Sequence, residues 1–540
     1  MKKLLRYMGA YKLESVLGPL FKLLEATFEL IVPLVVASII DVGIEQQNRP
    51  HIWKMCLILI ALAMIGLICS ITAQYFAAKA SVGFATKLRH ILFAHVQTLS
   101  NTDMDRLGAP TLIARMTNDI NQVQSGVNLA LRLLLRSPFV VFGAMIMAFT
   151  VDVRSAWTFA VIIPILCVVV FGIMLISIPL YRRVQASLDR VLGITRENLV
   201  GVRVLRAFGK QKSETAEFDS RNEHLTAAQK HVGRITALMN PVTFLLINLA
   251  VIALIYTGAL QVQSGVLTQG EVVALYSYMS QILVELIKMA SLIISMTKAA
   301  ACGSRIQKIL EVKPSQIFST TPVTPLKNAD AITFSHVGLT YEGAGEASLH
   351  DISFSAAPGE TVGIIGGTGA GKSSLISLIP RFYDATEGEI RIAGIPVNDY
   401  PAEQLRTAVG IVPQKAVLFR GTVRDNMRWG KRDATDEEIR RALEISQAAE
   451  FIDGLESGLD HVIEQGGRNL SGGQRQRLTI ARALVANPDI LILDDSASAL
   501  DYATDLKLRR AIAAMDPAPT TVIVSQRAAS IRHADRILVL

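Results

Sequence analysis

Six stretches of this chain are apolar and long enough to cross a bilayer: near residues 15–40, 53–78, 128–150, 156–180, 241–262 and 272–297. Spanning the hydrocarbon takes about 20 residues of helix. A backbone in lipid must satisfy its own hydrogen bonds, so each stretch is expected to be helical. Hydrophobic residues make up 51% of the chain and its mean hydropathy is +0.38, values that belong to a membrane protein. The excess is confined to residues 1–310, while 330–540 read as an ordinary soluble domain. At 540 residues the chain predicts at least two domains.

The basic residues set the orientation. The leader carries Lys2, Lys3, Arg6 and Lys12, and the segment 182–234 carries eleven lysines and arginines. Gln261 to Glu271 has none, and 41–52 has only Arg49. Positive loops stay inside, which predicts cytoplasmic termini in the cell (plasma or inner) membrane. The net charge of +8 therefore belongs to bilayer orientation. No recognition motif accompanies it, which argues against a nucleic-acid partner.

The cytoplasmic connections, about 79–127 and 181–240, have helical periodicity, with Val184, Leu188, Val191 and Leu192 on one side. The membrane helices are expected to continue through them and to turn at Gly108-Ala109-Pro110 and Gly209-Lys210, with short helices at the two tips. Ionisable groups also fall inside spans: Glu25, Glu29 and nearby Lys22 in the first, Glu285 and Lys288 in the sixth. Such groups are costly in lipid and face protein or a water-filled cavity. Pairing between helices is the favoured reading, and a substrate-lining or gating role is the other. Cys56, Cys69, Cys167 and Cys302 are far apart and read as packed free thiols.

In the second half, Thr361 to Ile365 reads as a buried strand running into Gly366, Gly367, Thr368, Gly369, Ala370, Gly371, Lys372, Ser373 and Ser374. This is GxxxxGK[ST], followed by an amphipathic helix. Its backbone N–H groups can curl around phosphate oxygens. Lys372 supplies charge to the β- and γ-phosphates, and the Ser373 hydroxyl can ligate Mg²⁺. Downstream, Ile490 to Leu493 reads as a strand delivering Asp494 to the same metal. Between them lies Leu470, Ser471, Gly472, Gly473, Gln474, continuing to Leu478.

On these motifs residues 331–540 resemble the nucleotide-binding domain of ABC transporters, and 1–310 resemble the six-helix membrane domain of the exporter type. The resemblance implies ATP and Mg²⁺ as cofactors. It implies that Tyr341 stacks on adenine, that Gln414 senses the metal and the membrane domain, and that Asp501 contacts a partner. It also implies that ATP is sandwiched between one subunit's phosphate loop and the other's counterpart of Leu470–Gln474.

Two positions depart from the family pattern. Asp495 stands where a glutamate activates water, and Gln526 where a histidine holds the γ-phosphate. A shorter carboxylate and a neutral amide predict a site that binds ATP and cleaves it poorly. The motif at 471–473 is intact, so the chain resembles the degenerate-site subunit of a bacterial heterodimeric multidrug exporter, as does Gly466 to Asn469 before it.

The expected architecture is multidomain. An entry segment (1–14) precedes an all-α six-helix membrane domain with long cytoplasmic extensions (15–300). A linker (301–330) then leads to an α/β P-loop ATPase domain (331–540), which ends at Leu540 on a strand, short of the usual family length. The expected partners are a second half-transporter, the lipid bilayer and a hydrophobic or amphipathic cargo such as drugs or lipids. The alternatives are a slowly hydrolysing homodimer and a nucleotide-gated channel or regulator.

Overall fold

The computed structural model describes residues 2–496 and 500–540. Ser498 and Ala499, which precede Asp501 in its motif, lie outside the described residues. Contacts divide the chain into two compact units. One is Met1–Gln97 with Pro110–Val312; the other is Thr98–Ala109 with Lys313–Leu540.

The first unit holds six candidate spans: Lys3–Ile44, Arg49–Val96, Ala109–Val151, Val153–Val200, Gln211–Gln263 and Gln269–Leu310. The second and fourth contain unbroken helices of 48 residues. At 1.5 Å per residue each is roughly 70 Å long, about twice the hydrocarbon thickness. The extensions expected at the cytoplasmic side are therefore continuous with the spans. Small residues (Ala26, Ala144, Ala156) and large ones (Phe159, Leu166, Leu254, Tyr278) fill the core between helices, and Tyr278 Oη donates to the Leu30 carbonyl at 2.8 Å.

Three details differ from the sequence reading. The third span breaks at Leu134 and Leu135, between helices Ile120–Leu133 and Arg136–Val151. Pro138 has no N–H for the Leu134 carbonyl and its ring crowds that turn, which favours a break there, although the fourth-span helix runs on through Pro164 and Pro179. The sixth helix continues to Leu310, past the expected start of the linker, because Ala299, Cys302, Ile306 and Ile309 are buried along it. Leu192 is exposed while Val191 is buried. It lies about 80° round the helix from Val184, off the packed face.

The in-span charges form a paired network. Glu29 accepts from Arg136 Nη2 at 2.6 Å, and Glu285 accepts from Arg136 Nη1 at 2.5 Å and from Lys288 at 2.8 Å. Ser137 Oγ donates to the other Glu285 oxygen at 2.8 Å. Glu25 pairs instead with Lys22 of its own helix, at 2.5 Å, and Lys22 also reaches Ser70 on the second span. All four cysteines are free thiols.

Turns form at the expected tips, where Gly108 and Gly209 take φ of 74° and 63°. The first tip carries the helix Asn101–Leu107, which belongs to the second unit. Its buried Asp103 accepts from the Ser315 N–H at 2.9 Å and the Ser100 hydroxyl at 2.8 Å. Burial pushes this carboxyl's pKa up, but the Ser315 and Ser100 donors outweigh it and leave Asp103 below the ordinary value. A depressed carboxylate contributes stability above its unfolded pKa and loses it as pH falls through the folded one. Protection of the Asn101–Leu107 amides from hydrogen exchange is therefore expected to weaken below about pH 4. Asp103→Ala should abolish that pH dependence and cost about 1–3 kcal/mol locally by stranding buried donors.

The second unit is built on a five-stranded parallel sheet, order β11-β3-β10-β9-β6, beside a four-stranded antiparallel sheet, β2-β1-β4-β5. In chain order these are β1 (Ile332–Leu339), β2 (Leu349–Ala356), β3 (Thr361–Ile365), β4 (Glu387–Ile392), β5 (Ile395–Pro396), β6 (Val409–Val412), β9 (Ile490–Asp494), β10 (Thr520–Val524) and β11 (Arg536–Val539). A short pair, β7 (Gly421–Thr422) and β8 (Val462–Ile463), stands apart. Strands β3, β9 and β10 are buried on both faces, as apolar parallel strands must be. In register, Val524 pairs with Ile364 on one side and Asp494 on the other. Three strands thus end at one level.

Candidate functional site

That shared level creates the site. Ligands of open parallel sheets bind beyond the carboxyl ends of the strands. Here β3 delivers the glycine loop, β9 delivers Asp494 and Asp495, and β10 delivers Ser525 and Gln526. They surround a cavity of about 510 Å³ whose wall includes Thr368, Gly369, Gly371, Lys372, Ser373, Ser374, Gln414, Asp494, Asp495 and Gln526.

The glycine loop is shaped by backbone needs. Gly371 has φ of 89°, and a Cβ there would lie 2.7 Å from the Ser348 carbonyl oxygen, so no side chain fits. The helix Lys372–Leu378 starts at once, aiming its free N–H groups at the cavity. Lys372 is buried, and its ammonium turns back into the loop, donating to the carbonyls of Gly366 and Gly367 at 2.9 and 2.6 Å. A cation held there faces whatever enters the loop, and phosphate is the matching charge.

Ser373 Oγ lies 3.3–3.4 Å from both carboxylate oxygens of Asp494. Burial lifts the Asp494 pKa above the ordinary range; the Ser373 hydroxyl and Lys372 charge oppose the rise, and the Asp495 charge adds to it. The Ser373 hydroxyl and the Asp494 carboxylate, with Gln414 on the same cavity wall, are hard oxygen donors. They fit Mg²⁺, which keeps most of its coordination for water and phosphate. Among the described residues no group of three or more His, Cys, Asp or Glu could hold a metal by itself.

Asp495 takes φ of 44°, and its N–H donates to the Val524 carbonyl at 2.9 Å, which pins the residue across two strands. Aspartate tolerates this left-handed conformation better than most side chains. Gln526 is exposed and lines the same cavity, just beyond the neighbouring strand β10.

Gly366, Gly367 and Ala370 of the loop, Tyr341, the Leu470–Gln474 motif and Asp501 stand outside the cavity wall. Tyr341 is held beside the loop, its hydroxyl donating to Ser374 Oγ at 3.0 Å, with its ring edge-on to Tyr383 at 5.1 Å. The Leu470–Gln474 motif caps the helix Gly472–Leu484. The Ser471 side chain accepts from the Gln474 N–H, and the Gln474 side chain accepts from the Ser471 N–H at 2.8 Å. Asp501 caps the helix Tyr502–Ala513 by accepting from Thr504 N–H at 2.9 Å.

Sequence reasoning missed Glu346, Ala347 and Ser348, which wall the cavity from the loop before β2 and carry no motif. It also missed Tyr383, whose hydroxyl donates to Asp105 of the first tip helix at 2.6 Å. Beside it Arg106 pairs with Glu342 at 3.4 Å.

A strand, a glycine loop and a helix opening on Lys and Ser, with an aspartate from a neighbouring strand, define a P-loop nucleotide-binding protein. In this chain it is joined to six membrane helices. Comparison with known proteins agrees. The family model described as ABC transporter transmembrane region matches residues 15–286, and the one described as ABC transporter matches 349–498.

The chain is 36% identical over 540 residues to an uncharacterized ABC transporter ATP-binding protein, YfiB, of Bacillus subtilis, covering 100% of this chain and 94% of that one. It is 30% identical to an ATP-dependent lipid A-core flippase of Chromobacterium violaceum, covering 100% and 92%. The solved structure of a bacterial Atm1-family ABC exporter with ATP bound superimposes with a TM-score of 0.80 at 23% identity, over 97% of this chain and 93% of that one, and shares its fold. The chain belongs to the ABC transporter family. It is a multi-pass membrane protein with an ATPase domain, a half-transporter of the exporter type.

Proposed function

We propose that this chain is one subunit of a heterodimeric ATP-driven exporter, holding ATP at a catalytically impaired site of its own. Tyr341 packs on the adenine, residues 366–374 bind the triphosphate, and Ser373, Asp494 and Gln414 hold Mg²⁺. Leu470 to Gln474 complete the site of a companion subunit whose own glutamate and histidine cleave ATP, and Asp501 contacts that companion. ATP binding draws the two nucleotide domains together and switches the membrane cavity from inward- to outward-facing. Hydrolysis at the companion's site resets it. The cargo is hydrophobic or amphipathic, and the subunit lies in the cell membrane with both termini inside.

One observation carries this reading: Asp495 and Gln526, the two departures, both stand on the wall of the phosphate cavity. A carboxylate one methylene short loses much of a general-base effect worth about 10²–10⁴ in rate. A neutral amide cannot share charge with phosphate as imidazole does. The chain purified alone should therefore bind Mg·ATP in an equilibrium assay while releasing phosphate at background rate. Brisk turnover without a companion would overturn the heterodimer.

A further inference from the structure

The nucleotide cavity has a third carboxylate in its wall. Asp494 and Asp495 stand at the end of a parallel strand, whereas Glu346 enters from the loop that joins β1 to β2. The phosphate and metal roles given above leave it without a task. It is exposed, with no hydrogen bond or ion pair among the described residues. Glu342 of the same loop is engaged elsewhere, by Arg106 of the tip helix.

Two backbone bonds fix where Glu346 stands. The Ser348 N–H donates to the Leu339 carbonyl at 2.7 Å, next to the antiparallel pair Leu339 and Leu349. The Ala344 N–H donates to the Tyr341 carbonyl at 3.0 Å and closes the turn. Glu346 is two residues from each tie, about 7 Å of chain at most, so the returning arm carries it past Tyr341. Tyr341 stands outside the cavity wall, while Glu346, Ala347 and Ser348 are part of it. Ser348 in turn abuts the phosphate loop, since its carbonyl oxygen is what a Cβ at Gly371 would meet. Glu346 therefore lies between the tyrosine and the phosphate loop.

A nucleotide laid along that path, as proposed above, has its base at Tyr341, its phosphates at the glycine loop and its sugar between them. A carboxylate repels phosphate at close range. When ionised it accepts hydrogen bonds and donates none. The sugar is neutral and offers two adjacent hydroxyl donors, which one carboxylate can take together. Dinucleotide-binding folds place an acidic residue on ribose for the same reason.

We propose that Glu346 reads the ribose: its carboxylate accepts from the 2′- and 3′-hydroxyls and makes the site selective for ribonucleotides over deoxy analogues. This deepens the nucleotide reading above and rests on it. A site that holds ATP without cleaving it gains from a contact remote from the γ-phosphate.

The test is equilibrium dialysis of the full chain in detergent with Mg²⁺ and labelled ATP, 2′-deoxy-ATP, 3′-deoxy-ATP, 2′,3′-dideoxy-ATP or ITP. Wild type should bind ATP about tenfold more tightly than dideoxy-ATP, the scale of one net hydrogen bond to a charged group. The two monodeoxy analogues should fall between. Glu346→Ala should bind all four adenine nucleotides alike, near the wild-type affinity for dideoxy-ATP, and that retained binding reports an intact fold. Glu346→Gln keeps one neutral acceptor and should discriminate by only about twofold. Equal wild-type affinity for ATP and dideoxy-ATP, or discrimination that survives in Glu346→Ala, would overturn the proposal. So would variants that change the preference for ATP over ITP and leave the deoxy series alone, which would place Glu346 on the base. If ATP and every analogue fail to bind, it is the nucleotide reading that falls, and this inference with it.

Discussion

Asp495→Glu, in the heterodimer proposed above with the companion's own site silenced, is expected to raise ATP hydrolysis by about 10²-fold. The physical reason is reach. The N–H of Asp495 is fixed to the Val524 carbonyl, so the backbone cannot advance to compensate for a short side chain. A displacement of about 1 Å at a reacting group costs about 10²-fold, and one methylene restores that distance. Gln526→His added to it should raise the rate again, since imidazole can share charge with the γ-phosphate. Glutamate suits φ of 44° less well than aspartate, so a small loss of thermal stability should accompany the gain. Phosphate release under saturating Mg·ATP measures the effect. If the double variant stays at background, carboxylate reach is not what limits this site.

The second large effect is on stability. Arg136→Met removes the cation that Glu285 and Glu29 share, leaving the nearly buried Glu285 with Lys288 and Ser137 among the described residues. Breaking one side of a buried pair costs about 3–5 kcal/mol because the remaining charge stays desolvated. The single variant should show a sharply lower unfolding temperature in detergent. Arg136→Met combined with Glu285→Leu removes both charges and should recover much of the loss. A cycle closing with a coupling of about 1–3 kcal/mol would establish the pair as an interacting unit. Strict additivity would show that the two residues act separately.

The elements strongest in the sequence are those whose physics is local. Six apolar runs must be helices in lipid whatever they pack against, and all six appear. The glycine loop could be placed from its GxxxxGK[ST] spacing after a strand, and the structure gives the reason for one glycine: Gly371 has positive φ and no room for a Cβ against Ser348. What escaped depended on distant partners. Nothing near Arg136 in sequence says that it will bind Glu29 and Glu285, because helix packing decides which faces meet. The break at Leu134 was present in Pro138, but a hydrophobic run masks a missing N–H. Likewise Tyr383 looks like any strand-edge aromatic until Asp105 is folded against it. The convergence of Asp494, Asp495 and Gln526 needed the strand order, which places β9, β10 and β3 side by side.

The nucleotide-binding unit is not a continuous length of polypeptide. Residues 98–109 complete it from more than 200 positions upstream, through Asp103 to Ser315, Asp105 to Tyr383 and Arg106 to Glu342. A ribosome must therefore finish all six membrane helices before this borrowed piece meets the rest of its unit. A fragment expressed from Lys313 onward would be born without it, with the Tyr383 hydroxyl and the Ser315 amide lacking the acceptors they use here. Truncation experiments on this protein should carry the upstream peptide in trans.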